Sequence, residues 1–278
     1  MAPRISVEHN TFELQGSQPL FAQSWIPSSE IRGTIGIVHG LGEHSSRYRP
    51  FAELLATSGY RVFAYDQRGH GQTSGKRGDA PSYDVLLDDV ETLLAEMSAA
   101  DDLSPKFLFG QSFGGALVLN LALRRQPSLN GIIVSSPLLR PTHPPARWKD
   151  IAGRCLQRVC PSFQFRTGIE AEQLSHDLAV AKAYKADALV HDQVSARIAV
   201  AMLDAGQWAI DHADQLSTPT LLMHGTSDPI TSSDATVEFA ERASECCTLE
   251  IFSDLYHELH WERESDEVFE VVLNWLDH

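Results

Sequence analysis

The chain has 278 residues, of which 43% are hydrophobic and 21% are charged, the balance of a folded rather than a disordered protein. Its formal net charge is −15. The phosphates of a nucleic acid would repel such a chain, so we predict no nucleic-acid partner. An anionic membrane surface would repel it as well, so any transient membrane contact has to come from a local apolar patch.

The N-terminal segment and the cysteines both point to a cytoplasmic protein. The segment MAPRISVEHNTFELQ lacks the apolar run of a secretory signal. No stretch approaches the roughly 18 consecutive apolar residues that indicate a membrane span. Without a signal we expect the four cysteines, Cys155, Cys160, Cys246 and Cys247, to be reduced thiols.

Strand and helix patterns alternate along most of the chain. The first 27 residues alternate apolar and polar around a Gly16-Ser17 turn, which predicts a β-hairpin. Short apolar runs predict strands over 34–39, 60–65, 106–110, 131–135, 218–224 and 248–252. Helical spacing predicts helices over 47–58, 83–99, 113–125, 233–243 and 264–277. Such a series predicts an α/β fold with a mostly parallel sheet, helices on both faces and the hairpin as an antiparallel edge.

Residues 138–213 interrupt this alternation. They contain no convincing strand, open with a proline-rich stretch, and show helical patterns over 178–184 and 194–203. Open α/β sheets bind ligands at the carboxyl edge of their strands, so we interpret this insertion as a helical cap over that edge. The predicted organisation is a core of residues 1–137, a cap of 138–213 and a second part of the core over 214–278.

The motif Gly110-Gln-Ser112-Phe-Gly114 stands between a predicted strand and a buried helix. This is the G-x-S-x-G of the nucleophile elbow of α/β-hydrolases, in which a strained turn exposes a serine at the top of the sheet. The turn accepts only small residues on either side of the serine. The motif alone occurs by chance, but the strand before it and the helix after it predict Ser112 as a nucleophile.

A serine hydroxyl needs a base, and this fold places an acid and then a histidine after the nucleophile. Asp228 and His257 each follow a predicted strand, on the same edge of the sheet as Ser112. We therefore predict Ser112, Asp228 and His257 as the catalytic residues. The weaker candidates are His260 for the base and Asp211 and Asp234 for the acid, and we expect His224 to have a structural hydrogen-bonding role.

Two backbone N–H groups are expected to bind the oxyanion. One belongs to Phe113, the residue after the nucleophile, and the other to Leu41, which lies between two glycines in the loop after an early strand. The charged loop from Asp66 to Gly71 is interpreted as a structural brace beneath the site. In it, Arg68 and His70 are expected to pair with nearby carboxylates.

These motifs together resemble the monoacylglycerol lipases and related lysophospholipases. The resemblance rests on motifs in the same order along nearly the whole chain, from about residue 11, and is weakest in the cap. The matching segments are His39-Gly-Leu-Gly-Glu-His44 with Arg47-Tyr48, Asp66-x-Arg-Gly-His-Gly71, Gly110-x-Ser-x-Gly-Gly115, His224-Gly-x-x-Asp228 and Tyr256-His257-Glu258. Many members have His before the nucleophile and Met after it, whereas this chain has Gln111 and Phe113.

The resemblance implies hydrolysis of a fatty-acyl ester, with a monoacylglycerol or lysophospholipid as substrate, a mobile cap and an acyl tunnel. It implies no cofactor and no metal. A short-chain carboxylesterase, a thioesterase, a peptidase or a non-catalytic ligand-binding scaffold on the same fold are the alternatives. In the cap, Trp148, Phe163 and Phe165 form either an apolar mouth or an ordinary cap core.

Overall fold

The computed structural model describes residues 6–100, 103–243 and 245–278. Its strands are β1 (Val7–Gln15), β2 (Pro19–Pro27), β3 (Gly33–Val38), β4 (Tyr60–Tyr65), β5 (Lys106–Gln111), β6 (Gly131–Ser135), β7 (Gln164–Arg166), β8 (Gln193–Ser195), β9 (Thr220–Gly225) and β10 (Cys247–Phe252). Its α-helices are α1 (Arg49–Thr57), α2 (Tyr83–Ala100), α3 (Phe113–Arg125), α4 (Arg147–Val159), α5 (Leu178–Ala186), α6 (Ala196–Asp211), α7 (Ser233–Ala243) and α8 (Ser265–Leu276).

The central sheet has the strand order β1-β2-β4-β3-β5-β6-β9-β10. The hairpin of β1 and β2 is antiparallel and pairs antiparallel with β4, and every other neighbouring pair is parallel. The predicted α/β-hydrolase fold, with a mostly parallel sheet and an antiparallel edge, is confirmed. Strand β9 begins at Thr220 rather than at residue 218, because Pro219 has no N–H to give to the sheet.

The core lies on both faces of the sheet. One hydrophobic cluster packs α2, α3 and α7 on one face, and a second packs α1 and α8 on the other. Neighbouring residues of β3 divide between them, with Ile37 in one cluster and Val38 in the other. All six residues of β3 are buried, as expected for a parallel strand covered by helices on both sides. This packing holds the carboxyl ends of the parallel strands at one edge.

Helices α4, α5 and α6 lie between β6 and β9 in the segment predicted as a cap. The prediction that this segment has no strand is wrong. Strands β7 and β8 pair antiparallel, with Gln164 opposite Ser195. Each has only three residues, too few for an alternating pattern to appear in the sequence. Ser195 also ends β8 and caps α6 through a side-chain oxygen that accepts from the N–H of Ile198 at 3.3 Å.

Two further expectations concern the cysteines and the membrane. All four cysteines are free thiols, as predicted. Among the described residues, no helix combines the length and the apolar character that crossing a membrane requires.

Candidate active site

Ser112 stands at the sharp turn between β5 and α3. Its backbone angles, φ 54° and ψ −117°, lie in a region that residues other than glycine rarely adopt. The neighbouring glycines have no room for a side chain. A Cβ on Gly114 would lie 2.1 Å from the carbonyl oxygen of Val38, and one on Gly110 would lie 2.6 Å from the carbonyl oxygen of Gly114. The strained turn and the close backbone approach explain why the motif needs glycine on both sides of the serine.

Asp228 and His257 come together at the ends of β9 and β10. His257 Nδ1 lies 2.7 Å from Asp228 Oδ2, and both side chains are buried. A carboxylate can only accept, so Nδ1 carries the proton and Nε2 is left as the basic nitrogen. Both Ser112 and His257 line one cavity. The structure thus brings the predicted acid and base into contact and opens the base and the predicted nucleophile to the same space.

Interactions within this pair lower the pKa of Asp228 and raise the pKa of His257, so the charged form of each residue is favoured. Burial alone would raise the pKa of Asp228, but the neighbouring His257 and hydrogen bonds from His224 and His257 hold it well below its ordinary value. Burial alone would lower the pKa of His257, but the charge of Asp228 and its hydrogen bond raise it. When His257 takes up a proton, as a general base must, the imidazolium that forms is therefore stabilised.

The other candidates for acid and base lie elsewhere. His260 stacks on Tyr48 at 4.8 Å between ring centroids, and burial lowers its pKa to about 3. Asp234 is in the first turn of α7, and Asp211 faces Arg242 at 3.8 Å. His224 Nε2 donates to Asp228 Oδ2 at 3.1 Å, so the hydrogen bond expected of His224 is made to the predicted acid itself.

The loop after β3 supplies the second part of the predicted oxyanion site. Gly40 and Leu41 line the cavity beside Ser112. Phe113 is the first residue of α3, where a backbone N–H has no carbonyl of its own helix to bond. The N–H of Gly40 donates to Glu43 Oε1 at 2.7 Å. Leu41 lines the cavity and Phe113 directly follows Ser112, and the oxyanion role of their N–H groups stays a prediction.

A buried ion cluster lies behind this loop, and sequence reasoning missed it. Arg47 donates to Glu43 at 2.6 Å and to both oxygens of Glu258 at 2.7 Å. Tyr48 donates its hydroxyl to Glu43 at 2.7 Å. Burial raises the pKa of Glu43, yet the charges of Arg47 and His39 and the hydrogen bond from Tyr48 together outweigh burial and lower it. The cluster joins the loop after β3 to the residue beside His257. The signal for this cluster in the sequence is Glu43 and Arg47, which lie in the segment from His39 to Tyr48 that resembles the lipase family.

The loop from Asp66 to Gly71 makes one of the two carboxylate pairings expected of it. Arg68 forms two hydrogen bonds with Asp89, at 2.6 and 2.7 Å, as expected. Within the described ranges, His70 pairs with no carboxylate. Its Nδ1 lies 2.9 Å from the carbonyl oxygen of Arg68, and its ring packs against His39 and His191. Burial and the two other histidines hold the pKa of His70 well below its ordinary value, so a neutral ring needs no carboxylate.

The two departures from the family pattern fit the site. The amide of Gln111 donates to the carbonyl oxygen of His257 at 3.5 Å. Phe113 is buried and meets Tyr83 edge to face, with ring centroids 6.2 Å apart. Both side chains are thus accommodated in the buried surroundings of Ser112.

The cavity above Ser112 has a volume of about 580 Å³, within the range of sites for small ligands. Its apolar lining comes largely from the segment predicted as a cap and includes Leu138, Val194, Ala199, Val200, Met202, Leu203 and, from the acid loop, Ile230. Trp148, Phe163 and Phe165 are 68%, 49% and 39% exposed, which excludes the cap-core alternative. Of these three, Phe165 lines the cavity. Within the described part of the chain, no group of three or more His, Cys, Asp or Glu could hold a metal ion.

Comparisons with known proteins agree with this fold and geometry. The profile of the family Hydrolase_4, described as serine aminopeptidase S33, matches residues 29–264. The protein is thus a serine hydrolase-type α/β-hydrolase. Within that class the chain belongs to the family related to the monoacylglycerol lipases, as the sequence motifs predicted.

Three similar proteins illustrate the relationship. An uncharacterised abhydrolase domain-containing protein of Dictyostelium discoideum is 36% identical over 264 residues, which are 93% of this chain but 28% of that protein. The monoacylglycerol lipase of Mycolicibacterium smegmatis is 30% identical over 256 residues, which cover 91% of this chain and 90% of the relative. The crystal structure of Paleococcus ferrophilus monoacylglycerol lipase is 28% identical, covers 98% of both chains and superposes with a TM-score of 0.84.

Proposed function

We propose that this protein hydrolyses carboxylic esters of fatty acids, with a monoacylglycerol or a lysophospholipid as substrate. The observation that carries the proposal is the pair of Asp228 and His257, in contact at 2.7 Å, with His257 and Ser112 lining one largely apolar cavity. A single acyl chain can lie against the apolar wall while its ester carbonyl meets Ser112. The names of similar proteins, among them monoacylglycerol lipases, support this choice of substrate.

The proposed reaction has two steps. His257 Nε2 takes the proton of Ser112 as its Oγ attacks the ester carbonyl, and the alcohol then leaves with that proton. Water next gives a proton to His257 and attacks the acyl-enzyme, which releases the fatty acid and restores the Ser112 hydroxyl. Asp228 keeps the proton on His257 Nδ1 and stabilises the imidazolium formed in each step.

The N–H groups of Leu41 and Phe113 are proposed to bind the oxyanion in both steps. A donor of this kind contributes about 3–4 kcal/mol to the transition state where it has been measured. Glu43 supports the arrangement through its hydrogen bond from the N–H of Gly40, next to Leu41. The segment 138–213 is proposed to act as the cap, since it provides much of the cavity lining.

An ester is favoured over a peptide by the state of the two buried carboxylates. An aminopeptidase has to bind the ammonium group of its substrate, for which a free carboxylate is the natural partner. Glu43 and Glu258 both line the cavity, but all four of their oxygens accept hydrogen bonds from Arg47, Tyr48 or Gly40. Each oxygen of these two carboxylates already has a donor from this chain, which favours an ester over the substrate of an aminopeptidase, the activity in the description of the matching family.

Helix α4 is proposed to make the transient membrane contact. Trp148, Ile151 and Val159 are exposed on it, and their spacing places them on one face. The helix also carries four basic residues, Arg147, Lys149, Arg154 and Arg158, and one acidic residue, Asp150. A basic amphipathic helix with an exposed aromatic residue can lie in a membrane interface although the whole chain is acidic.

The test is a panel of substrates with Ser112→Ala as control. The panel contains short- and long-chain 1-monoacylglycerols, a lysophosphatidylcholine, p-nitrophenyl butyrate, an acyl-CoA and a dipeptide amide. We expect the highest kcat/KM on a long-chain monoacylglycerol or on the lysophospholipid, and no turnover by Ser112→Ala. Preference for the butyrate, the thioester or the amide would refute the lipase assignment. Failure of a fluorophosphonate probe to label Ser112 would support a non-catalytic scaffold.

A further inference from the structure

The carboxylate of Asp228 accepts more hydrogen bonds than the proposed mechanism uses. Oδ1 accepts the N–H groups of Ile230 and Thr231, at 2.7 and 3.0 Å. Oδ2 accepts from His257 Nδ1 at 2.7 Å, from the hydroxyl of Thr231 at 2.8 Å and from His224 Nε2 at 3.1 Å. The mechanism needs only the bond from His257, so the two other side-chain donors call for an explanation.

His224 points one N–H at the acid. Its Nε2 lies 3.1 Å from Asp228 Oδ2 and 3.1 Å from the carbonyl oxygen of Thr231. Both partners can only accept, so Nε2 carries the proton. Nδ1 lies 2.7 Å from Thr236 Oγ1, whose hydroxyl can donate to it. The fully buried ring is thus held at both nitrogens, in a single orientation, near the end of β9.

The hydroxyl of Thr231 reaches both the acid and the base. Besides its bond to Asp228, Oγ1 lies 3.2 Å from His257 Nδ1 and 3.1 Å from the carbonyl oxygen of Ser136. Ser136 directly follows β6, the strand whose last residue accepts a hydrogen bond from the backbone N–H of Ser112. Thr231 therefore connects the acid and the base to the strand beside the proposed nucleophile.

We infer that Thr231 and His224 are positioning residues for the proposed reaction, which hold Asp228 Oδ2 in the orientation that meets His257. The inference rests on the proposed function of Asp228 and His257. Neither Thr231 nor His224 is among the residues that line the cavity, so they act through Asp228 and not on the substrate. Rotation of the carboxylate would break several hydrogen bonds at once, which keeps the accepting oxygen in place.

The two donors also moderate the charge of the acid. Every N–H or O–H bonded to a carboxylate stabilises its negative charge and weakens its pull on the remaining partner. Loss of the donor from Thr231 or from His224 therefore strengthens the attraction between Asp228 and the imidazolium of His257. This raises the pKa of His257. The acidic limb of the kcat/KM profile, where protonation of His257 removes the base, then moves to higher pH. The other titratable groups that act on this pair are Glu43, Glu258 and His260.

The test compares Thr231→Val with Thr231→Ser and with Thr220→Val. Valine keeps the shape of threonine and loses the hydroxyl, whereas serine keeps the hydroxyl. Thr220 is a buried threonine at the start of β9, and its hydroxyl donates to the carbonyl oxygen of Thr218 at 2.9 Å. Thr220→Val therefore removes a buried hydroxyl away from Asp228 and is the matched control. The readout is kcat and KM for p-nitrophenyl butyrate between pH 5 and 9, expressed per site labelled by a fluorophosphonate.

For Thr231→Val we expect kcat to fall about tenfold with KM nearly unchanged. We also expect the acidic limb to move upward by about half a pH unit. Thr231→Ser and Thr220→Val should keep both the kcat and the limb of the wild type. A purely structural role would lower the number of labelled sites without moving the limb. An unchanged limb and kcat in Thr231→Val would overturn the inference.

A second pair of variants covers the case in which Thr231→Val does not fold. His224→Gln keeps an N–H near the position of Nε2, whereas His224→Asn does not reach it. We expect His224→Asn, and not His224→Gln, to reproduce the lower kcat and the raised limb, and equal behaviour of the two variants would overturn the inference. Turnover by Ser112→Ala would instead mean that the proposed function has failed. Wild-type turnover of the butyrate but of no lipid would mean that only the substrate assignment has failed.

Discussion

At the scale of single residues, the turn at Ser112 needs two glycines because backbone atoms lie too close for a side chain at either position. Gly114 has the carbonyl oxygens of Val38 and His39 within 2.5 Å of where a Cβ would be. Gly110 faces the backbone of α3. The same motif in a different backbone setting would tolerate alanine, so its requirement for glycine follows from this packing.

We predict that Gly114→Ala destabilises the protein by about 3 kcal/mol or more, because the new methyl group overlaps backbone atoms that cannot rotate away. Gly153→Ala in α4 is the matched control. Its Cβ would meet Val200 at 3.7 Å, an ordinary contact. Replacing a helical glycine there should be neutral or stabilise by up to about 1 kcal/mol. Urea denaturation measures both changes. Equal stabilities of the two variants would contradict this account of the elbow.

The paired charges of Asp228 and His257 predict the pH dependence of hydrolysis. Burial lowers the pKa of His257, but the charge and the hydrogen bond of Asp228, together with nearby carboxylates, outweigh burial and raise this pKa. The kcat/KM should therefore rise with pH through a limb above the ordinary histidine pKa of about 6.5. Asp228→Asn should move the limb downward and lower kcat by about 10⁴-fold, as loss of the orienting carboxylate does in serine proteases. The measurement is the pH profile on a soluble ester, and a limb that stays in place in Asp228→Asn would exclude Asp228 as the partner.

At the scale of elements, the segment predicted as a cap is hydrogen-bonded to three loops that carry site residues. It contacts the loop after β3, the loop of the acid and the loop of the base. The backbone bonds are His191 N to Gly42 O at 2.8 Å, Thr142 N to Ile230 O at 3.0 Å and Glu258 N to Leu174 O at 2.7 Å. These contacts fix the positions of the loops that carry Leu41, Asp228 and His257 against the segment that lines the cavity.

Helix α4 differs from the other helices of this segment, since none of its residues is fully buried. If its exposed face contacts the membrane, the double variant Trp148→Ser/Ile151→Ser should lower kcat/KM on monoacylglycerol in anionic vesicles by roughly tenfold or more, from the apolar area lost. Hydrolysis of p-nitrophenyl butyrate in solution should not change. Leu54→Ser, at an exposed leucine of α1, is the control. An equal loss on both substrates would argue against membrane contact.

At the scale of the whole molecule, four wholly or partly buried histidines weaken the fold as the pH falls. Burial lowers the pKa of His39, His70, His191 and His260, for His191 to about 4 and for His260 to about 3. In the unfolded chain each takes up a proton as the pH falls through about 6.5. The unfolded state then binds more protons than the folded state, so stability falls from that pH downward. His257, with its raised pKa, acts in the opposite direction but is one against four.

We predict that His260→Phe raises the melting temperature and makes it less sensitive to pH between about 6.5 and 3. Both ring nitrogens of His260 are buried without a hydrogen-bond partner in the described part of the chain, and such a group costs about 1–3 kcal/mol. Phenylalanine can keep the stacking on Tyr48. The measurement is the melting temperature from pH 7 to 4. The exposed variant His278→Phe should follow the wild type, and a slope as steep in His260→Phe would contradict the prediction.

Much of the fold could be predicted because its signals are local. Apolar runs and helical spacing located β4, β6 and α3 to the residue. Strands β7 and β8 could not be found, since three residues carry no period and their pairing joins distant parts of the chain. The exposure of Trp148, Phe163 and Phe165 depends on which face of the segment packs against the core. The sequence therefore does not distinguish an apolar mouth from a cap core, whereas the structure does.

The sequence by itself determined the order of sheet and helices, the family, and the choice of Ser112, Asp228 and His257 as candidates. Each of these follows from neighbours along the chain or from residues at the ends of strands, which a parallel sheet brings to one edge. Only the tertiary structure decided which groups surround them. The hydrogen bonds of Thr231 and His224 to Asp228, and the cluster of Arg47 with Glu258, depend on distances between side chains from separate loops. Such distances result from packing, which no spacing along the chain encodes.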